Sequence, residues 1–232
     1  NSFLKPEYAY SFEAGLKYNS TDHQNFIELR SFTTLVSRHI VRSDFIVFSD
    51  QSTLSENTIL YNGEEVLTQA NKNLGNRFIY GGTLEGRWVI SNPIDLSGGI
   101  TYTTADKNSD YGPMPSIAPL FGTFTLTHKR KKLRSLLIWR FSEAKSPSQY
   151  SWGGEDGLIE TPLINPQALN DVDRFFGMPS WSSWSFLAQY EFKKDVVFNL
   201  GLKNIFDLHY RTFASGISCE GRSLQFGIKV KF

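Results

Sequence analysis

A chain of 232 residues that is 40% hydrophobic and 20% charged is neither disordered nor fibrous, and its 24 basic and 23 acidic residues leave a net charge of +1, with no field to draw nucleic acid. The single cysteine, Cys219, excludes an intramolecular disulfide and a multi-cysteine metal site. No stretch approaches the roughly 18 consecutive apolar residues of a membrane helix, which excludes a helical membrane protein.

The opening NSFLKPE has neither the charged start nor the apolar run of a signal peptide, so either the mature chain begins here or further sequence precedes it. From residue 7 the sequence has a period of two. Tyr8, Tyr10, Phe12, Leu16 and Tyr18 alternate with Ser11, Glu13, Gly15 and Lys17 over 7–18, which places apolar groups on one face of a strand and polar or small groups on the other. The same pattern predicts strands at 25–41, 76–91, 94–106, 121–129, 134–145, 183–193, 196–206 and 221–232, about nine in all and each of bilayer-spanning length when tilted. The connections alternate between short turns at 19–24, 91–93, 129–132 and 193–195 and long loops at 42–75, 107–120, 146–180 and 207–220. An antiparallel up-and-down meander with short turns at one end and long loops at the other predicts a transmembrane β-barrel, with the long loops outside.

A soluble barrel would direct its apolar face inward. Here the polar faces mix small residues such as Thr101, Thr123 and Gly201 with charges, and the apolar faces carry aromatics near strand ends: Tyr18, Trp88, Trp184 and Phe192. A bilayer places Tyr and Trp at its interfaces, which favours lipid outside and a wet lumen inside. The last strand keeps the alternation to its end, with Leu224, Phe226, Ile228, Val230 and Phe232 on one side.

Five stretches carry a more specific signal: YGGTLEGRW (80–88), MPSIAPLFGTFTL (114–126), FGMPSW (176–181), FNLGLKNIFDLHYR (198–211) and ASGISCEGRSLQFGIKVKF (214–232). In order and spacing the set resembles the C-terminal part of TonB-dependent outer-membrane receptors. The resemblance covers essentially the whole chain, read as one unit over 1–232. It implies about nine C-terminal strands of a 22-stranded barrel, with the N-terminal plug domain and the remaining strands lying upstream or on another chain. It further implies a Gram-negative outer-membrane receptor that binds a scarce nutrient at its outer loops, an iron-siderophore, haem or other metal complex, and imports it with TonB-coupled energy. The alternative is a non-transporting barrel that scaffolds a surface or secretion partner. The implied partners are the TonB complex, reached through the plug, outer-membrane lipids, and the barrel-assembly machinery, which would read Phe226, Ile228, Val230 and Phe232.

Little else in the sequence suggests chemistry. The four histidines have no ligand-like spacing, and no nucleotide, zinc-protease or hydrolase motif occurs. No catalytic residue, resident metal or cofactor is expected, and an enzyme is not. Glu155 and Asp156, and Asp171 and Asp173, read as solvated loop acids. The basic turn at 129–132 suits either solvent or lipid headgroups. In the longest loop Tyr150, Trp152, Arg174 and Phe175 are the candidate ligand contacts, because aromatic planes and a guanidinium fork suit a planar anionic cargo.

Overall fold

The computed structural model describes residues 3–44, 58–107 and 112–231. Nine strands form one antiparallel sheet: β1 (Tyr8–Asn19), β2 (Phe26–Ser37), β7 (Arg77–Ser91), β8 (Ile94–Ala105), β9 (Phe121–Arg130), β10 (Leu133–Ser142), β11 (Trp181–Lys193), β12 (Val196–Lys203) and β13 (Ser223–Val230). Each strand pairs with the next in this order, and β1 and β13 are the free edges of an open sheet. The expected nine-stranded meander is present, with boundaries moved by a few residues.

The strand expected at 25–41 breaks at Arg38, whose φ of 56° is left-handed, and resumes as β3 (Ile40–Asp44). Within the stretch expected as a long loop at 42–75, the described residues instead form two short ladders. In it β3 pairs with β6 (Gln69–Asn73), and β4 (Thr58–Tyr61) pairs with β5 (Glu64–Leu67) across an Asn62-Gly63 turn. Both turn residues have positive φ, 50° and 86°, as the tight two-residue hairpin turn requires. β10 stops at Ser142 and β12 at Lys203, short of their expected ends. Phe232 lies outside the described residues.

Register decides the faces. Lys17 is opposite Glu28, Glu28 opposite Glu85, and Arg87 opposite Ser97, so the charges of neighbouring strands share one face. There Lys17, Glu28, Arg30 and Glu85 form a ladder of ion pairs with N···O distances of 3.0–3.2 Å, and Arg87 holds Asp95 at 3.3 Å. Each is half in water and contributes at most about 1 kcal/mol. The opposite face is apolar and open: Leu16 is 77% exposed and Leu224 73%. The buried apolar residues, Val36, Met114, Tyr150 and Met178, all lie at the long-loop end. Among the described residues the wall has no core of its own, and an apolar face left uncovered in this way matches the expected lipid-facing surface.

On the apolar face Trp139 stacks on Trp184 at 5.6 Å, on Phe124 at 5.6 Å and on Phe141 at 4.6 Å, each pair worth about 0.5–1.5 kcal/mol beyond area burial. Its Nε1 donates to Ser182 Oγ at 2.8 Å. The rings lie flat because two glycines sit beneath them. A Cβ on Gly98 would stand 2.6 Å from Phe124 and 2.3 Å from the Thr123 carbonyl, and one on Gly122 would stand 2.7 Å from Phe141. In the barrel that contains this chain, Gly98→Val should therefore force β8 off β9 and lower the fraction that runs as the folded, heat-modifiable species on an unheated gel. Thr101→Val, on the other face of β8, should leave it unchanged.

Candidate functional site

Three long connections meet at one end of the sheet: residues 106–120 after β8, 143–180 after β10 and 204–222 after β12. The longest is closed at its base by a pair of backbone hydrogen bonds, Lys145 N–H to Met178 O at 2.9 Å and Met178 N–H to Lys145 O at 3.0 Å. The Lys145 side chain then turns inward. The side chain is 4% exposed, and its ammonium donates to Ile117 O at 2.6 Å and to Asp156 Oδ2 at 3.2 Å, and stands 4.0 Å over the Phe213 ring and 5.1 Å over Tyr150. Asp156 accepts a second bond from the Ser116 N–H at 2.7 Å. One buried cation thus ties together all three connections. Burial pushes the Lys145 amine below the usual lysine value, and the Asp156 carboxylate opposes that. Asp156 is not the solvated loop acid expected from the sequence: it is 2% exposed, because a buried ammonium requires a buried counter-charge.

The third connection is held by Asn204 and Asp207, both left-handed at φ 46° and 56°. Asn204 Nδ2 donates to Leu208 O and Glu220 O at 2.9 and 3.0 Å, its Oδ1 accepts from Leu208 N–H, and Asp207 Oδ1 accepts from Arg222 N–H at 2.7 Å. These two residues are the Asn and Asp of the NIFD stretch, and they bind the two ends of the loop together. Farther out, Arg211 Nη1 donates to Glu160 O at 2.7 Å, which joins this loop to the longest one.

Between these loops lies a cavity of about 430 Å³. Its walls include Tyr150, Trp181, Tyr210 and Phe213, with Asp156 and Arg211 at the polar edge. Tyr150 meets Phe213 edge-on at 6.2 Å, and Trp181 lies against Tyr210 at 4.4 Å. Burial pushes the Tyr150 phenol up to about 12 and raises Tyr210 as well, so both keep their hydroxyl protons at neutral pH. Trp181 Nε1 is buried and makes no hydrogen bond among the described residues. The site offers aromatic planes, one unpaired indole donor and a charged rim.

Of the four candidate contacts, Tyr150 lines this cavity and is 3% exposed. Trp152 is 66% exposed and stands over Gly112, on the β8–β9 connection. Arg174 ends α1 (Asp171–Arg174), a single turn capped by Asn170 Oδ1, and its side chain is exposed. Phe175 bridges Leu163 in the outer lobe of the same loop. No ring contact, hydrogen bond or ion pair among the described residues joins any two of the four. The sequence reading missed Lys145, Asp156, Trp181, Tyr210 and Phe213. Trp181 and Tyr210 lie within stretches quoted for the family resemblance, whereas nothing local to Lys145 signals that it is buried.

The family and its structures bear on this site. The model of the family described as TonB dependent receptor-like, beta-barrel, matches residues 1–205. Among solved structures the chain is similar to the copper transporter OprC (17% identity, TM-score 0.70), over 100% of this chain and 32% of that one. It is also similar to the siderophore receptor PirA from Acinetobacter baumannii (17%, TM-score 0.69), over 100% and 33%. The FrpB iron transporter from Neisseria meningitidis (15%, TM-score 0.64) matches over 99% and 31%. The chain spans about a third of the length of these structures. A search of the curated proteins finds no match to it. At these identities the structures speak for the fold, and with the match over residues 1–205 the chain belongs to the TonB-dependent receptor-like β-barrel family.

Proposed function

We propose that this chain is part of the wall and mouth of an outer-membrane receptor that captures a scarce nutrient at its long loops and imports it with TonB-coupled energy, through a plug domain supplied by the remainder of the receptor. The cargo class is a metal complex such as an iron-siderophore or haem. The observation that carries this reading is the aromatic-walled cavity at the long-loop end. Aromatic faces and the buried, unpaired Trp181 N–H suit a flat, oxygen-rich ligand. Support comes also from the family and from the transport and receptor functions of OprC, PirA and FrpB. The exposed Trp152, together with Arg174 and Phe175 of the outer lobe, is proposed as the first-encounter contact, with Tyr150, Trp181 and Phe213 holding the cargo below.

Three measurements on the full-length receptor test this. Nitroxide labels at Leu224 and Phe226 should be relaxed by a lipid-soluble quencher, and labels at Gln225 and Lys229 by a water-soluble one; the reverse pattern would make this a soluble barrel. Phe213→Ala with Trp181→Ala should weaken cargo binding by calorimetry at least about tenfold, on the scale of two lost aromatic contacts, with the folded barrel retained. Uptake should stop when the proton-motive force is collapsed. Uptake that continues without it sinks the transport reading, and a receptor that binds no metal complex and imports nothing favours a scaffold.

The Lys145 knot makes a separate prediction. Asp156→Ala leaves a buried ammonium unpaired and should destabilise the mouth by about 3–5 kcal/mol, seen as rapid proteolytic cleavage within 146–180 on a barrel that stays folded. Lys145→Met combined with Asp156→Leu removes both charges and should restore protection.

A further inference from the structure

The short-turn end of the wall divides electrostatically. Over β1–β8 the cations of the inner face are neutralised in place, Lys17 and Arg30 by Glu28 and Glu85, and Arg87 by Asp95. At the short-turn end of β9–β13 they are not, although Lys203 at the far end of β12 is paired with Glu220. The β9–β10 turn reads Lys129, Arg130, Lys131 and Lys132, and the β11–β12 turn adds Lys193 and Lys194. All six are exposed, and none of them makes an ion pair with a described carboxylate.

The two turns are neighbours in space. Glu191 N–H donates to Lys132 O at 2.9 Å, Lys132 Nζ donates to Phe192 O at 3.1 Å, and Lys231 N–H on the next strand donates to Asp195 O at 2.9 Å. They form one cationic rim, and it sits at the border of the apolar face. Arg130 is opposite Leu133, Lys193 opposite Val196, and Tyr190, Phe192 and Phe198 lie just inside. Lys193 Nζ stands 5.6 Å over the Phe192 ring, an ammonium lying over an interfacial aromatic.

We propose that this rim over β9–β13 is a docking surface for anionic phospholipid headgroups, which it draws selectively from the leaflet at the short-turn end. The proposal rests on the membrane-wall reading above. Three features favour a lipid phosphate over a soluble acidic protein. The cations follow the edge of the lipid-facing band. They flank aromatics of the kind that sit at headgroup depth. They stop at β8, where the cations are already paired. Long lysine stems can lay their methylenes on the apolar band while the ammonium meets a phosphate, and each basic group near an anionic surface adds about 1 kcal/mol, roughly a fivefold preference.

The test uses the full-length receptor in bilayer discs of phosphatidylcholine that contain either spin-labelled phosphatidylglycerol or spin-labelled phosphatidylcholine, with motionally restricted lipid read by electron spin resonance. In low salt the wild type should hold phosphatidylglycerol at least about fivefold over phosphatidylcholine. Lys131→Gln, Lys132→Gln, Lys193→Gln and Lys194→Gln together should bring the ratio close to one, while Lys17→Gln, at a cation already paired, should not change it. A wild-type ratio near one, or a ratio unchanged in the fourfold variant, overturns the proposal. Should the variant not fold, the wild type decides: raising salt from about 20 to about 500 mM must lower the preference, because screening shortens to a few ångströms, and a preference that persists overturns it. Inorganic phosphate that abolishes the preference at matched ionic strength would reassign the rim to a free anion. Absence of any restricted lipid would instead overturn the membrane-wall reading beneath it.

Discussion

Inside hydrocarbon no water is available to satisfy a backbone amide, so every strand of a membrane wall must give its N–H and C=O groups to the strands beside it. The rest of this structure depends on that constraint. It sets the unbroken antiparallel ladder from β1 to β13, and the ladder in turn sets the register that brings Lys17, Glu28, Arg30 and Glu85 to one face and Leu16, Leu29 and Leu84 to the other. Once the faces are separated, the apolar side has no partner among the described residues. Stability must come from lateral pairing and from the medium rather than from a buried centre, which is why the packed interior moves to the end of the sheet.

At that end the physics reverses. The loops have left the hydrocarbon, and they use globular devices in miniature: a buried ion pair, left-handed Asn and Asp residues that close a loop, and aromatic rings in contact. Lys145 shows how tightly the two regimes join. It lies three residues beyond β10, yet its ammonium is anchored to the β8–β9 connection and covered by a ring from the β12–β13 loop. The mouth is therefore coupled to three strands at once.

The wall was legible in the sequence because the side-chain period of a strand writes the medium on either side of it directly into the residue order. Alternation from Tyr8 to Tyr18 needs no distant partner to be read. The β4–β5 hairpin has a local signal too, the Asn62-Gly63 pair, whose tight turn needs no distant partner. Asn204 and Asp207 were visible as part of a motif without their task being visible. Lys145 and Asp156 could not be read at all, since the burial of each depends on backbone and rings from two other connections. Tyr150, Trp152, Arg174 and Phe175 were chosen by chemical type, and type alone does not separate a ring in a cavity wall from one on an outer lobe.

The placement of the Lys145 knot bears on how such a mouth can change over generations. Substitutions at Tyr150, Asp156 or Phe213 disturb the junction of three loops together, so few of them are tolerable singly. The lobe from Leu163 to Phe175 hangs beyond the knot, closed on itself by its own bridge and its one-turn helix. None of its described residues is among the partners of the Lys145 ammonium, so changes confined to it leave those contacts in place. Diversification of what the mouth first meets can therefore proceed in that lobe, leaving the hinge between loops and wall untouched.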